Sequence, residues 1–364
     1  MERYADEDKL FRMSHPVTRM TIDIIGKIVM DIDFNSQNQE HELVSAFESA
    51  VDWMPLGFQY RPSELWDFRR SYYDWRNGRI MDRYIDKQLV ERWRTRKQRG
   101  RSKYVIDLAF ETFLKDTARE GKEELDSEFR RDAINQVKIF LFAGHETSSS
   151  TLCFCFYYFS RLPEVRTKAR QEIENVFGKN ANIAEMMKKQ PTLVNKLEYI
   201  TAIIKEALRM HAPANAMRRG AEDFFIKDPT TGQMIATEGL DLLNLAIGNH
   251  YNKAAWGSDA FVFRPERWFE KTPEKAFVAF SKSPRNCIGQ ELAMIEMRIT
   301  CAIVFANFDM RTCFDELDKL KGDGTAWPSD TEGIQELWGV DMYQASVTAK
   351  PREGMPVRIS KYSA

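Results

Sequence analysis

The chain has 364 residues, 43% hydrophobic and 12% aromatic, which is enough to bury a sizeable core in one large domain or two ordinary ones. Its formal net charge of −1 implies no polyelectrolyte partner, so nucleic-acid binding is not expected. Five irregularly spaced cysteines exclude a disulfide framework, and Cys153 and Cys155 lack the CxxC spacing of a zinc or redox site, so a reducing compartment is expected.

The N-terminal stretch MERYADEDKLFRMSHP is charged from its second residue and reads as neither signal peptide nor membrane anchor. From Thr18 to about His211 the pattern is helical, beginning with VTRMTIDIIGKIVM. RWRTRKQRGRSK, residues 92–103, places seven basic residues in twelve. It reads as a solvated helix end and loop, ahead of a nuclear-import or membrane-surface patch. Residues 139–159, IFLFAGHETSSSTLCFCFYYF, have the length of a membrane span, roughly 20 residues. Their centre carries His145, Glu146, Thr147 and three serines. A central acid costs about 2.5–3.5 kcal/mol on insertion scales, so the stretch is predicted to be a buried helix with a polar middle. PEVRTKARQEIENVFG opens with proline at a helix start and stops at Gly178, and NKLEYITAIIKEALRMHAP is a further helix ended by Pro213. FFIKDPTTGQMIATEG then reads as strand, turn and strand. A long coil runs to about Ser283, a helix follows Cys287, and a loop-rich tail ends in the short strand PVRIS. The predicted organisation is a helical region 1–212, a strand-and-coil region 213–283, and 284–364 with the Cys287 loop, its helix and the tail.

Four groups along this order could carry chemistry. AGHET, residues 143–147, puts polar groups into an apolar helix, where unpaired burial costs several kcal/mol. It is not the HExxH of a zinc protease, because position 149 is serine. A helix–helix polar contact and a polar notch beside Gly144 both remain open. Glu206 and Arg209 share one helix face and form either a surface ion pair or a buried pair that needs a further partner. In FVFRPERW, Pro265 sets an extended or turned backbone and Arg267 follows it. Cys287 lies at the mouth of a helix behind Arg285, and Gly289 allows close backbone approach. The macrodipole and the cation suit a thiolate ligand or nucleophile, and an inert cysteine is the alternative.

In order, AGHETS, Glu206-Ala207-Leu208-Arg209, Phe263-Arg264-Pro265-Glu266-Arg267-Trp268 and the loop Phe280–Gly289 give the chain its resemblance. It resembles the cytochrome P450 haem-thiolate monooxygenases of the eukaryotic microsomal type, and HYNKAAWGSDAFVFRPERW resembles fungal members. The resemblance implies a mainly α fold with a small β part and one catalytic domain holding haem b. It makes Cys287 the axial ligand of the haem iron, a donor that favours O–O cleavage. Arg285 and Arg218, or its neighbour Arg219, become propionate partners. Glu206, Arg209 and Arg267 become a buried structural triad. Thr147 passes protons to bound dioxygen, Glu146 feeds that relay, and Ala143 and Gly144 leave room for oxygen and substrate.

It further implies electrons from an NADPH-dependent flavoprotein reductase, O2 as co-substrate, and a lipophilic small-molecule substrate in the setting of fungal secondary metabolism. A thiolate haem protein that rearranges peroxides is disfavoured by the Glu146–Thr147 pair. Two departures stand out. Ser283 replaces the family's usual glycine, at a cost on the order of 1 kcal/mol if that position needs positive φ. The resemblance also starts inside the helical domain, without the anchor, first strands and first helices. That includes the family's WxxxR helix: Trp66 with Arg70 and Trp75 with Arg79 match its spacing but lie too late in the chain. A truncated helical fragment that does not hold haem productively is therefore the alternative. The family normally resides at the endoplasmic reticulum membrane, facing the cytosol, and a cytoplasmic or peripheral location is expected for this chain as written.

Overall fold

Several helix ends follow from local sequence. A computed structural model of the protein describes residues 1–53, 68–96, 104–115, 124–273, 275–282, 284–314, 316, 344–345 and 349–362. Its helices are α1 Glu2–Asp6, α2 Ser14–Met30, α3 Glu42–Asp52, α4 Phe68–Thr95, α5 Val105–Lys115, α6 Ser127–Arg161, α7 Pro163–Phe177, α8 Ile183–Lys189, α9 Glu198–Met210, α10 Ala246–His250, α11 Lys253–Trp256 and α12 Gln290–Asn307. Pro163 opens α7 with its φ preset, and Gly178, at φ 90°, closes it in a conformation other residues avoid. Asn182 caps α8 by accepting from the amide of Glu185 at 3.1 Å. The start of α9 is not local. The Glu172 carboxylate on α7 accepts from the amides of Tyr199 at 2.6 Å and Ile200 at 2.9 Å. That borrowed cap explains why α9 begins at Glu198 and the preceding Pro191–Lys196 forms a separate 3-10 turn.

The strands are short and antiparallel. Ala216–Arg219 pairs with Asp241–Asn244, with Ala216 opposite Asn244. Phe225–Lys227 pairs with Met234–Ala236 around a turn in which the Asp228 carboxylate accepts from the amides of Thr230 and Thr231. Phe308–Thr312 pairs with the final strand Pro356–Lys361. The fold is thus mainly helical with small sheets. The coil predicted before Ser283 is more structured than its composition suggests. It holds α10, α11 and the 3-10 helix Pro265–Phe269. Asn252 caps α11, and Pro265 occupies the first turn of the 3-10 helix.

The chain divides into two compact units. One comprises Arg12–Ser150 with Ala345–Val347, and the other Met1–Phe11, Thr151–Gln344 and Thr348–Ala364. The division falls within α6, where the predicted regions placed a boundary after residue 212. In the first unit, the core gathers Ile22, Phe34, Leu43, Ile85, Leu89 and Trp93. Arg92 corrects the reading of 92–103 as a solvated stretch: it is buried and donates to both oxygens of Asp107 at 2.6 Å and to the Met30 carbonyl at 3.1 Å. Residues 97–103 lie outside the described residues. In the second unit, α6 is buried on all sides from Leu152 to Phe159, with Phe159 stacked on Phe305 of α12 at 3.9 Å. A helix apolar all round belongs in a core. Among the described residues, no helix is long and apolar enough to cross a membrane.

Candidate functional site

Within the second unit, α9 presents Glu206 and Arg209 to the segment 250–268. Both are fully buried. Arg209 donates through Nε to Glu206 Oε2 at 3.0 Å and through Nη2 to Oε1 at 2.8 Å. Arg267 donates through Nε to the same Oε1 at 2.8 Å. The Trp268 indole and the Arg264 backbone amide, each at 3.0 Å, complete the donors to this carboxylate. Arg209 spends its remaining donors on the carbonyls of His250, Ala260 and Val262 at 2.8, 2.6 and 3.2 Å. Arg267 reaches the carbonyls of Asp259 and Val262 at 2.9 and 3.1 Å. The Asp259 carboxylate balances the second arginine. Partial burial alone would raise its pKa, but Arg267 and Arg264 hold it low. An ion pair this buried is tolerable because almost every donor and acceptor is used. The polar α9 face therefore fastens short helices and turns whose carbonyls at Asp259, Ala260 and Val262 have no ladder to satisfy them.

Behind it lies a neutral histidine layer. His211 stacks on Phe154 at 3.8 Å, and its Nε2 meets the Tyr158 hydroxyl at 2.8 Å. Burial, then the nearby Arg209 charge, pulls the His211 pKa down to about 3, and burial pushes the Tyr158 hydroxyl well up. Burial likewise lowers His250 to about 4.

Cys287 sits in the loop before α12. Its amide donates to the Phe280 carbonyl at 2.9 Å, which ties the backbone of Cys287 to that of Phe280. Ser281 takes the left-handed turn, at φ 59°. Ser283 lies outside the described residues. Of the five cysteines only Cys287 is exposed; Cys153, Cys155, Cys301 and Cys313 are buried. Gly289 caps α12, and a Cβ there would stand 3.9 Å from the Cys287 Sγ, an ordinary contact. Ile288 beside the thiol is 88% exposed.

Arg285 is exposed and Arg218 stands on an exposed strand. Neither pairs with a carboxylate among the described residues, and the Arg218 Nη1 contact is to the Met217 carbonyl at 2.8 Å. Arg218 and Arg219 project to opposite faces of their strand. An exposed soft sulfur with an apolar neighbour, and two exposed arginines that pair with no carboxylate among the described residues, are of the chemistry that a flat, apolar, iron-bearing ring with carboxylate tails would require.

Within the first unit, AGHET faces α2. The Thr21 hydroxyl donates to the His145 carbonyl at 3.0 Å, and the Thr18 hydroxyl to Ser149 Oγ at 3.3 Å. His145 and Glu146 are both buried, with His145 Nε2 at 3.7 Å from a Glu146 oxygen. Thr147 Oγ1 donates to the Ala143 carbonyl one turn back at 2.8 Å, and Ala143 is exposed. The space beside Gly144 is taken by protein: a Cβ there would lie 2.7 Å from Ile25 Cγ1. Glycine at this position lets α2 and α6 approach.

Glu206, Arg209 and Arg267 are thus joined in one network. Cys287, Arg285 and Arg218 belong to that same unit, and Ala143, Gly144, Glu146 and Thr147 to the other. Trp75 and Arg79 form an exposed pair, the guanidinium 5.6 Å from the ring centre, while Trp66 lies outside the described residues. Sequence reasoning missed His250, Asp259 and Trp268 as partners of the triad. Trp268 adjoins Arg267 in the quoted motif, and that adjacency was the available signal. Nothing local marks His250.

The sequence model of the family Cytochrome P450 matches residues 1–333. The chain is 32% identical to cytochrome P450 monooxygenase polC of Polytolypa hystricis, over 99% of its own length and 65% of that protein's. It is 32% identical to cytochrome P450 monooxygenase acrF of Aspergillus aculeatus, over 99% of its own length and 75% of that protein's. It is 28% identical to leukotriene-B4 omega-hydroxylase 3 of Mus musculus, over 84% of its own length and 59% of that protein's. The chain therefore spans about 59–75% of the length of these curated relatives.

Proposed function

Since the chain belongs to the cytochrome P450 family, we propose that it is a haem-thiolate monooxygenase acting on a lipophilic small molecule. The reaction takes R–H, O2, two electrons and two protons to R–OH and water. An NADPH-dependent flavoprotein reductase is the proposed electron source. The single observation that carries the reading is the exposed Cys287, alone among five cysteines, in a backbone-closed loop flanked by Arg285. Haem b, when bound, supplies the redox-active iron that binds and splits dioxygen, and a thiolate ligand favours that cleavage.

In this reading Cys287 would give its sulfur to the haem iron. Arg285 and Arg218 would bind the propionates through charge-assisted hydrogen bonds. The Glu206–Arg209–Arg267 network holds the chain that leads to the Cys287 loop. The buried Glu146 carboxyl and the Thr147 hydroxyl, one residue on, would carry protons toward the dioxygen. The names of the relatives favour a lipophilic substrate: one is a leukotriene hydroxylase.

The test is the absorption spectrum of the 364-residue chain, reduced and exposed to carbon monoxide. A strongly red-shifted Soret band typical of thiolate-ligated haem is expected, with loss of that band in Cys287→Ala. Absence of haem, or a band typical of a neutral ligand in the unaltered chain, would overturn the reading.

A further inference from the structure

His250 is fully buried at the end of α10, in a cage of Phe277, stacked at 5.4 Å, and Trp256, edge-on at 6.4 Å. Its Nε2 lies 2.9 Å from the backbone nitrogen of Val278, and its Nδ1 lies 2.8 Å from the carbonyl oxygen of Arg209. A backbone N–H can only donate and a carbonyl can only accept. Nε2 must therefore be bare and Nδ1 must carry the proton. The ring is held as one neutral tautomer, and a second proton would set N–H against N–H. Arg209 answers in kind, donating from Nη1 to the His250 carbonyl at 2.8 Å.

The partner at Nε2 gives this contact its meaning. Val278 is the entrance to the thiol loop. Its carbonyl accepts from the Ser281 amide at 2.9 Å, and two residues beyond it the Phe280 carbonyl accepts from the amide of Cys287. A continuous line of hydrogen bonds thus runs from the Glu206 carboxylate through Arg209 and His250 to Val278, and from there along three residues of backbone to Cys287. We propose that His250 is a positioning residue for the Cys287 loop, transmitting the register of the buried Glu206–Arg209–Arg267 network to the backbone that carries the thiol. The proposal rests on the reading of Cys287 as the haem ligand for its consequence, but not for its geometry.

Two conservative variants separate the two ends of the imidazole. His250→Gln places an acceptor where Nε2 stood, facing Val278. His250→Asn keeps a donor where Nδ1 stood, facing Arg209. His250→Ala keeps neither. Backbone hydrogen exchange is followed across residues 277–287 in the full chain, together with the carbon-monoxide spectrum of the reduced protein. His250→Gln is expected to retain slow exchange at Val278 and the thiolate Soret band. His250→Asn and His250→Ala are expected to exchange about tenfold faster across the loop, the scale of one lost buried hydrogen bond, and to shift toward the neutral-ligand band. Equal behaviour of the Gln and Asn variants, or an unchanged loop in all three, would overturn the proposal. Exchange reads out with or without haem, so a chain that takes up none refutes the monooxygenase reading while the loop is still judged.

Discussion

Glu206 is tolerated at zero exposure because donors converge on both of its oxygens: two arginines, an indole and a backbone amide. Such a group is tolerable only as a set. Glu206→Gln removes the charge and turns one accepting oxygen into a donor that faces donors. Breaking one partner of a buried ion pair costs about 3–5 kcal/mol. Urea unfolding of Glu206→Gln is expected to show a midpoint lowered to match, with the slope unchanged. A loss within the ordinary surface range, under about 1 kcal/mol, would mean that the network relaxes around the change. The spacing of Glu206 and Arg209 was legible in the sequence, because residues three apart share a helix face. That the face is buried was not, since the burying surface is made of short helices and turns 41 to 62 residues further on.

At the scale of elements, the contact of α2 with α6 shows what a small residue does. Ile25 occupies the place a side chain at 144 would take. Thr21 and Thr18 lock the same interface by donating to the His145 carbonyl and to Ser149. Forcing extra atoms into a packed interface typically costs about 1–3 kcal/mol. Gly144→Val is therefore expected to lower the thermal midpoint, and the double variant Gly144→Val with Ile25→Ala to recover part of the loss. Strict additivity of the two changes would show that they do not share the space. The glycine was visible in the sequence as a weak point of a helix. Its reason was not, because the neighbour that fills the gap, Ile25, lies on a helix far earlier in the chain.

For the whole molecule, buried neutral histidines set a stability profile. His211 is lowered to about 3 and His250 to about 4, each from an ordinary 6.5, mainly by burial. Burial also lowers His15 and His41. Above pH 6.5 neither the folded nor the unfolded chain protonates these rings, and their contribution is complete. As pH falls from 6.5 toward 4 the unfolded chain binds protons that the folded chain refuses, so stability is lost. The share of His250 over that window is about 3 kcal/mol, at 1.36 kcal/mol per pKa unit. Urea midpoints measured across the window are expected to fall steadily with pH. A flat profile would show that the two imidazoles are not held neutral. Asp259, depressed by its arginines, removes stability in the same direction at lower pH.

The sequence by itself determined the helix periodicity, the caps at Pro163 and Gly178, the hairpin around Asp228, the final strand and the order of the four motifs that mark the family. These are readable because each depends on residues within a turn or two of one another. Only the tertiary structure decided which polar groups are buried and with whom. Arg92, in a run of basic residues that resembles a solvated stretch, turns inward to Asp107, while Cys287 is left exposed when four other thiols are covered. His250 meets Arg209 across 41 positions, and Thr21 meets His145 across 124. A side chain's charge state and partners depend on the dielectric and the donors that close around it. Those are properties of segments far apart in the chain, brought together only when the core forms.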